Sequence, residues 1–291
     1  MERKWNKSSL MGWQFIAIPS ALILLFSFYP MFQSLLLSFQ SGKGTVYHYV
    51  GIDNYVRLFS DPMFKQAVLN TLLYLVVQVP IMLMLGMVIA HLLNNPQLRF
   101  KGFYRTAIFL PCVTSLVSYA VLFKSIFAVD GILNKMLLSV HMIQEPVAWL
   151  MDPVWARVVI IVAITWRWTG YNMIFYLSAM QNIDPSIYEA ASIDGASKPR
   201  QFFSITIPML KPILLFTAII STNGTLQLFD EVVNITNGGP GNSTMTISQY
   251  IYNLSFVYTP NFGYAATVSY AIVFMVAVLA LIQLKVGGEK R

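Results

Sequence analysis

Long charge-free apolar runs alternate with short polar stretches along this chain, and that rhythm predicts membrane helices. Ser8 to Gly42 contains no Asp, Glu, Lys or Arg and predicts a retained span at about 11–38, with Pro19 and Pro30 inside it. Proline is tolerable there when neighbouring helices satisfy the freed backbone groups. Residues 40–65 read as an aqueous loop with an interfacial helix near Tyr55–Phe59. A second span is predicted at about 67–93, and the stretch from Arg105 to Lys124 gives a third. Its roughly 18 residues reach ~27 Å at about 1.5 Å each, just enough to cross. Residues 124–154 form another polar segment, and three more spans come at about 155–181, 212–231 and 263–284. The expectation is one transmembrane domain, 1–291, with a long polar loop over 182–211.

Composition agrees. The chain has 291 residues, of which 56% are hydrophobic and 11% charged, against about 25% charged in soluble domains. The formal net charge of +7 follows topology and not a basic domain, so nucleic acid is not an expected partner. Twelve of the nineteen Lys and Arg fall on one side of the six-span scheme, which predicts cytoplasmic termini and a cytoplasmic 182–211 loop. The one cysteine, Cys112, excludes an internal disulfide. His48, His91 and His141 lie in different segments, and no metal cluster or nucleophile constellation is visible.

The most polar stretch between apolar runs is Glu189–Pro212. Glu189, Ala190 and Ala191 favour helix, Gly195 can supply a positive φ at a stop, and Pro199 suits the first turn of a second helix. Phe202, Phe203, Ile205 and Met209 recur at helical spacing, and Pro208 and Pro212 end or kink that helix before the next apolar run. Composition alone allows a plain connector. The ordered set Glu189-Ala190-Ala191, Gly195, Ile205 and Pro208, with Asp194, Ala196 and Phe202 fitting, resembles the coupling signature of ATP-binding-cassette (ABC) importer permeases of the maltose and multiple-sugar type.

That resemblance implies an all-α polytopic protein of the type I ABC importer permease fold in a bacterial inner membrane. It implies that the signature helix docks on a separate ATPase. Glu189 would pair with a basic residue there, Gly195 would permit the turn, and Ala190 and Ala191 would allow close approach. Phe202, Ile205 and Pro208 would either join that contact or anchor the loop to its own helices. The implied partners are a second permease, two ATPase subunits, an extracytoplasmic sugar-binding protein, the sugar and membrane lipid. ATP and Mg would sit on the ATPases. The only Gly-Lys pair, Gly42-Lys43, lacks the rest of a phosphate loop, so the chain is expected to be a transport subunit without its own nucleotide site.

Arg167 is the one charge in the middle of an apolar span, where insertion costs about 2.5–3.5 kcal/mol. It should face a cavity or a partner such as Asp230. With Trp168, Tyr171 and Asn172 it offers aromatic faces and hydrogen-bonding groups suited to a carbohydrate. The fifth span has a matching polar interruption at Ser221, Thr222, Asn223, Gly224, Thr225 and Gln227, then Asp230 and Glu231. The resemblance likewise gives the fourth and fifth spans the sugar path. The Gly-rich stretch 236–244 reads as a turn-rich outer loop suited to meeting the binding protein. A neutral oligosaccharide and an acidic sugar both remain open, as do an ion-coupled secondary transporter and a non-transporting scaffold.

Overall fold

The computed structural model describes residues 7–43 and 46–287. Helices dominate: α1 Lys7–Ile23, a π-helical turn Leu24–Phe28, and α2 Tyr29–Ser38 make up the first apolar run. The π turn precedes Pro30, which has no N–H to give to the carbonyl four residues back; a widened turn is a usual response. A two-stranded antiparallel hairpin comes next, β1 Gln40–Lys43 and β2 Val46–Tyr49, with Gln40 opposite Tyr49. The 40–65 segment, expected as a loop with a short helix, therefore carries strand pairing as well. It continues into α3 Asp53–Ser60.

The chain then forms α4 Pro62–Asn94, α5 Lys101–Val113, α6 Leu116–Ile126, α7 Ile132–Ser139 and α8 Pro153–Met180. The polar region holds α9 Pro185–Ile193, α10 Lys198–Gln201, a π turn Phe202–Thr206 and α11 Ile207–Met209. After it come α12 Lys211–Leu226, α13 Asp230–Ile235, α14 Ile247–Tyr252, a π turn Asn253–Val257 and α15 Phe262–Gly287. Among the described residues, four helices are long and apolar enough to cross a membrane: Gly12–Ser38, Pro62–Asn94, Pro153–Met180 and Phe262–Gly287. Two bent pairs bring the number to six if each is one span.

Both pairs overlap expected spans, the third as a bent pair and the fifth as a helix shorter than expected. The third is not one straight helix over 105–124, because α5 and α6 meet at 99°. Pro111 removes a backbone donor, Thr114 and Ser115 are extended, and the Thr114 hydroxyl donates to the Pro111 carbonyl. Counting uncharged residues cannot register such a break. The fifth apolar helix ends at Leu226, not at 231, and it is bent 69° from the segment before it, at Leu210. Asp230 and Glu231 begin a separate short helix, with their charges at its N-terminus, where the helix dipole favours them.

Packing resolves two compact units. One combines the segment through Asp61 with Ile251–Ala271. Its polar centre is Ser38, whose hydroxyl meets the Tyr55 hydroxyl at 2.7 Å and whose carbonyl accepts from Asn54 and Thr267. Arg57 lies 4.0 Å above the Tyr264 ring, and the Tyr264 hydroxyl donates to Asp61.

The other unit combines Pro62–Tyr250 with the rest of α15. Its axis is α4 against α8. Gly86 permits the close approach, since a Cβ there would lie 3.3 Å from Asn172 and from the backbone of Thr169 and Met173. At Gly170, α5 crosses α8 so tightly that a Cβ would lie 2.0 Å from the Ile108 carbonyl oxygen. One apolar cluster joins α4, α6, α8 and α13 through Tyr74, Phe123, Ile160 and Val232, and another joins α4, α8 and the polar region through Met87, Met173, Tyr176 and Leu210. The segment between α6 and α8 closes on Asn134, whose amide donates to the Val129 and Val147 carbonyls and accepts from the Val147 N–H and the Trp149 indole.

Candidate coupling surface and translocation face

Residues 184–210 fold as two short arms. Asp184 caps α9, its carboxylate accepting the Ser186 N–H at 2.9 Å, and that backbone hydrogen bond holds the carboxyl below its ordinary value. The first arm stops where Gly195 takes φ +78, with the Ala196 N–H returning to the Ala191 carbonyl. Nothing lies within 4 Å of a Cβ at Gly195, so the backbone conformation and not crowding accounts for the glycine. Buried Gln201 knits the arms, donating to the Ser192 hydroxyl at 2.9 Å and the Ala196 carbonyl at 3.0 Å. Tyr188 and Thr206 share a second link of 2.9 Å.

This framework sorts the predicted coupling residues. Glu189, Ala190, Asp194, Gly195 and Pro208 are exposed; Ala191 and Ile205 are half-buried. Phe202 turns inward onto the His91 ring at 4.4 Å and joins the apolar cluster below, so it anchors the loop to its own helices. Phe203 points the other way, 67% exposed, and Ile193 is 86% exposed. The four apolar residues 202, 203, 205 and 209 therefore do not form one face: neighbours 202 and 203 stand about 100° apart in any helix, and the π turn over Phe202–Thr206 shifts the phase of those that follow. Ile193 escapes a reading of the sequence: it stands four residues after Glu189, and only the end of α9 leaves it uncovered.

The predicted path residues divide as sharply. Trp168 and Tyr171 are half-buried on one side of α8, edge to face at 5.9 Å. Phe175 continues the row at 5.0 Å from Tyr171, and Phe216 of α12 comes next at 5.7 Å from Phe175. Asn223 and Gly224 on α12 and Gln227 just past its end are exposed, and the Gln227 amide donates to the Asn223 side-chain carbonyl oxygen at 2.7 Å. Phe216, Ile220, Asn223 and Gln227 recur at four-, three- and four-residue intervals, which is one helix face. Aromatic rings, half-buried on α8 and exposed at Phe216, thus lead to an exposed amide pair. Phe175 and Phe216 are additions to the predicted set, although the 168–171–175 spacing was legible.

Other candidates face inward. Asn172 is buried against α4, its amide on the Trp168 carbonyl. Thr225 donates to Gln78 of α4, and Thr222 accepts from Gln283 of α15. Ser221 is half-buried and Asp230 exposed. The acidic residue beside the Arg167 cluster is Glu231, not Asp230. Arg167 is 8% exposed, its Nε and Nη1 unpartnered, and its guanidinium lies 5.0 Å from the Tyr119 ring and 5.6 Å from that of Trp168. Glu231, 6% exposed, accepts the Trp168 indole N–H at 3.3 Å.

The Gly-rich stretch is not a free loop. Ser243, Thr244, Met245 and Thr246 are buried. Asn70 donates to the Asn242 and Met245 carbonyls, Arg157 to the Ser243 carbonyl at 2.8 Å, and Thr246 to the Leu228 carbonyl. Only its tips, such as Asn237 and Gly241, reach the surface. The turn residues are visible in the sequence; the polar stripe of α4 that receives them is not.

Residues 64–285 match the family described as binding-protein-dependent transport system inner membrane component. The chain is 58% identical to the lactose transport system permease protein LacF of Rhizobium radiobacter, over 96% of this chain and 95% of that one. It is 31% identical to the arabinooligosaccharides transport system permease protein AraP of Bacillus subtilis, over 91% and 85%. A subunit in the crystal structure of a bacterial ABC transporter that imports the acidic polysaccharide alginate superposes with a TM-score of 0.85 at 25% identity, over 98% of both chains. A multi-pass helical chain with this fold and this match over most of its length belongs to the inner membrane components of binding-protein-dependent transport systems.

Proposed function

We propose that this chain is one permease subunit of an ATP-driven sugar importer and forms half of the translocation path. The carrying observation is the two-armed segment at 184–210, which holds Ile193, Phe203 and Glu189 outward on a cross-linked frame. Exposed apolar side chains beside a positive-φ glycine suit docking on another protein. The partner would be an ATPase subunit carrying ATP and Mg; a second permease would complete the path, and an extracytoplasmic binding protein would deliver sugar. Both termini and the docking segment would lie in the cytoplasm, in keeping with the distribution of Lys and Arg. Closure of the ATPases would move the docking arms, and the spans would exchange inward- and outward-facing states.

Sugar as cargo is supported by the names of the relatives and by the row Trp168, Tyr171, Phe175 and Phe216 leading to Asn223 and Gln227. Ring faces take the C–H faces of a pyranose and amides take its hydroxyls. Glu231 beside the Arg167–Trp168 cluster balances the cationic charge, which favours a neutral saccharide over a uronate.

The test is ATP hydrolysis by the reconstituted complex, stimulated by binding proteins loaded with neutral disaccharides, neutral oligosaccharides or uronate oligomers. Neutral sugars should stimulate. Gly195→Asp and Glu189→Lys should insert normally yet uncouple hydrolysis from transport; retention of both activities in both variants would refute the docking assignment.

A further inference from the structure

The segment after α4 carries Arg99, Lys101 and Arg105, interleaved with Phe100, Phe103 and Tyr104. The transport reading gives these residues no task. Phe100 and Phe103 are among the most exposed aromatics of the chain. Phe100 is held at φ 58 and provides no side-chain cap to α5, whose first turn has no acidic residue. Its N-terminal N–H groups and positive dipole end therefore lie in the same short stretch as Arg99, Lys101 and Arg105. Arg105 is half-buried, and its Nε is buried without a hydrogen-bond partner. The cations and the uncapped helix N-terminus together ask for an anion, and the exposed aromatics suit a membrane surface.

The same helix leads into an apolar groove of about 610 Å³ between α4, α5 and α8. Lys101, Arg105, Ile108 and Pro111 come at intervals of four, three and three residues, which puts the cations and the groove wall on one face. Ile81, Leu85 and Ile89 form the α4 wall and Trp166 lies on the α8 side. The only hydroxyls in the lining belong to Thr165 and Thr169, and that of Thr169 is turned onto the Thr165 carbonyl. From Ile81 to Ile89 the wall runs roughly 12 Å along α4. It is apolar along its length and cationic at one end.

We infer that an anionic phospholipid occupies this site, its phosphate at Lys101, Arg105 and the α5 N-terminus and one acyl chain in the groove. Charge complementarity selects this occupant: an apolar helix from a neighbouring subunit would fill the groove and leave Lys101 and Arg105, on the face that leads into it, without a counter-charge. Basic pockets between membrane helices on the cytoplasmic side recognise anionic headgroups. The site lies apart from the aromatic row on α8 and α12, and it rests on neither the sugar assignment nor the docking arms.

Trp166 provides the readout, since it lines the groove and is 41% exposed. The full chain in its native complex is placed in phosphatidylcholine nanodiscs containing a small fraction of acyl-brominated phosphatidylglycerol or acyl-brominated phosphatidylcholine. The Trp166 signal is isolated by subtracting the Trp166→Phe protein. Phosphatidylglycerol should quench it at several-fold lower mole fraction, and the preference should fall about fivefold per cation removed in Lys101→Gln and Arg105→Gln. Exposed Lys135→Gln on α7 should leave it unchanged. Should the variants fail to fold, salt titration of the unmodified complex reads the same preference, which must weaken as salt rises. Equal quenching by the two lipids would make the groove an ordinary lipid-facing surface and overturn the proposal. No quenching by either would assign the groove to a neighbouring helix, with the same result.

Discussion

Two glycines on facing sides of the α8 packing make a paired test of how tightly this helix is held. Gly86→Ala and Gly170→Ala are chemically the same change, each replacing a helical glycine, and each gains about 0.5–1 kcal/mol of backbone entropy. They differ in what the new methyl meets. At Gly86 the nearest atoms are 3.3 Å away, a tight contact that a few tenths of an ångström relieves. At Gly170 the nearest atoms are the Ile108 carbonyl oxygen at 2.0 Å, its carbon at 2.8 Å and the Phe109 Cα at 3.0 Å. All are backbone, so no rotamer change helps and α5 must retreat by about 1 Å to restore even the shortest real Cβ contact. Overpacking costs about 1–3 kcal/mol, and a backbone obstacle belongs at the upper end. The net expectation is a change of less than about 1 kcal/mol for Gly86→Ala and a loss of about 2 kcal/mol for Gly170→Ala. Equilibrium unfolding in mixed micelles at rising SDS fraction ranks the two against the unmodified protein. Gly170→Ala as stable as Gly86→Ala, with transport intact, would refute the close crossing of α5 over α8.

Arg167→Gln and Glu231→Gln should each impair transport, and a double-mutant cycle should return a coupling of about 0.5–3 kcal/mol, since both charged groups are buried beside Trp168; additive losses would deny that they share an environment. Asn134→Leu should cost about 2–4 kcal/mol and expose residues 127–150 to added protease, because the Trp149 indole and the Val147 N–H lose their acceptor; unchanged proteolysis would count against it. Hydrogen bonding to the Ser186 N–H lowers the Asp184 pKa, so its cap stabilises α9 fully above the ordinary carboxylate value and is lost as pH falls through the lowered one. Exchange of the Ser186 amide, corrected for intrinsic rate, should rise in acid and lose that pH dependence in Asp184→Asn.

The order of residues along the chain determined part of this by itself. The membrane class comes from uncharged runs too long for a soluble core, and the helix–stop–helix at 189–212 from Ala190-Ala191, Gly195 and Pro199, because those signals act within a turn or two of backbone. The aromatic spacing 168–171–175 was equally local. Tertiary structure decided what local signals cannot carry. It bent the 105–124 run at Thr114–Ser115, ended the fifth helix at Leu226, and turned Phe202 inward while Phe203 points out. It matched Arg167 with the neighbourhood of Glu231 and not Asp230, and it buried the Gly-rich stretch against Asn70, Tyr74 and Arg157. Each outcome depends on which distant backbone groups need a partner, and a buried donor or acceptor takes whichever one the packing brings within reach.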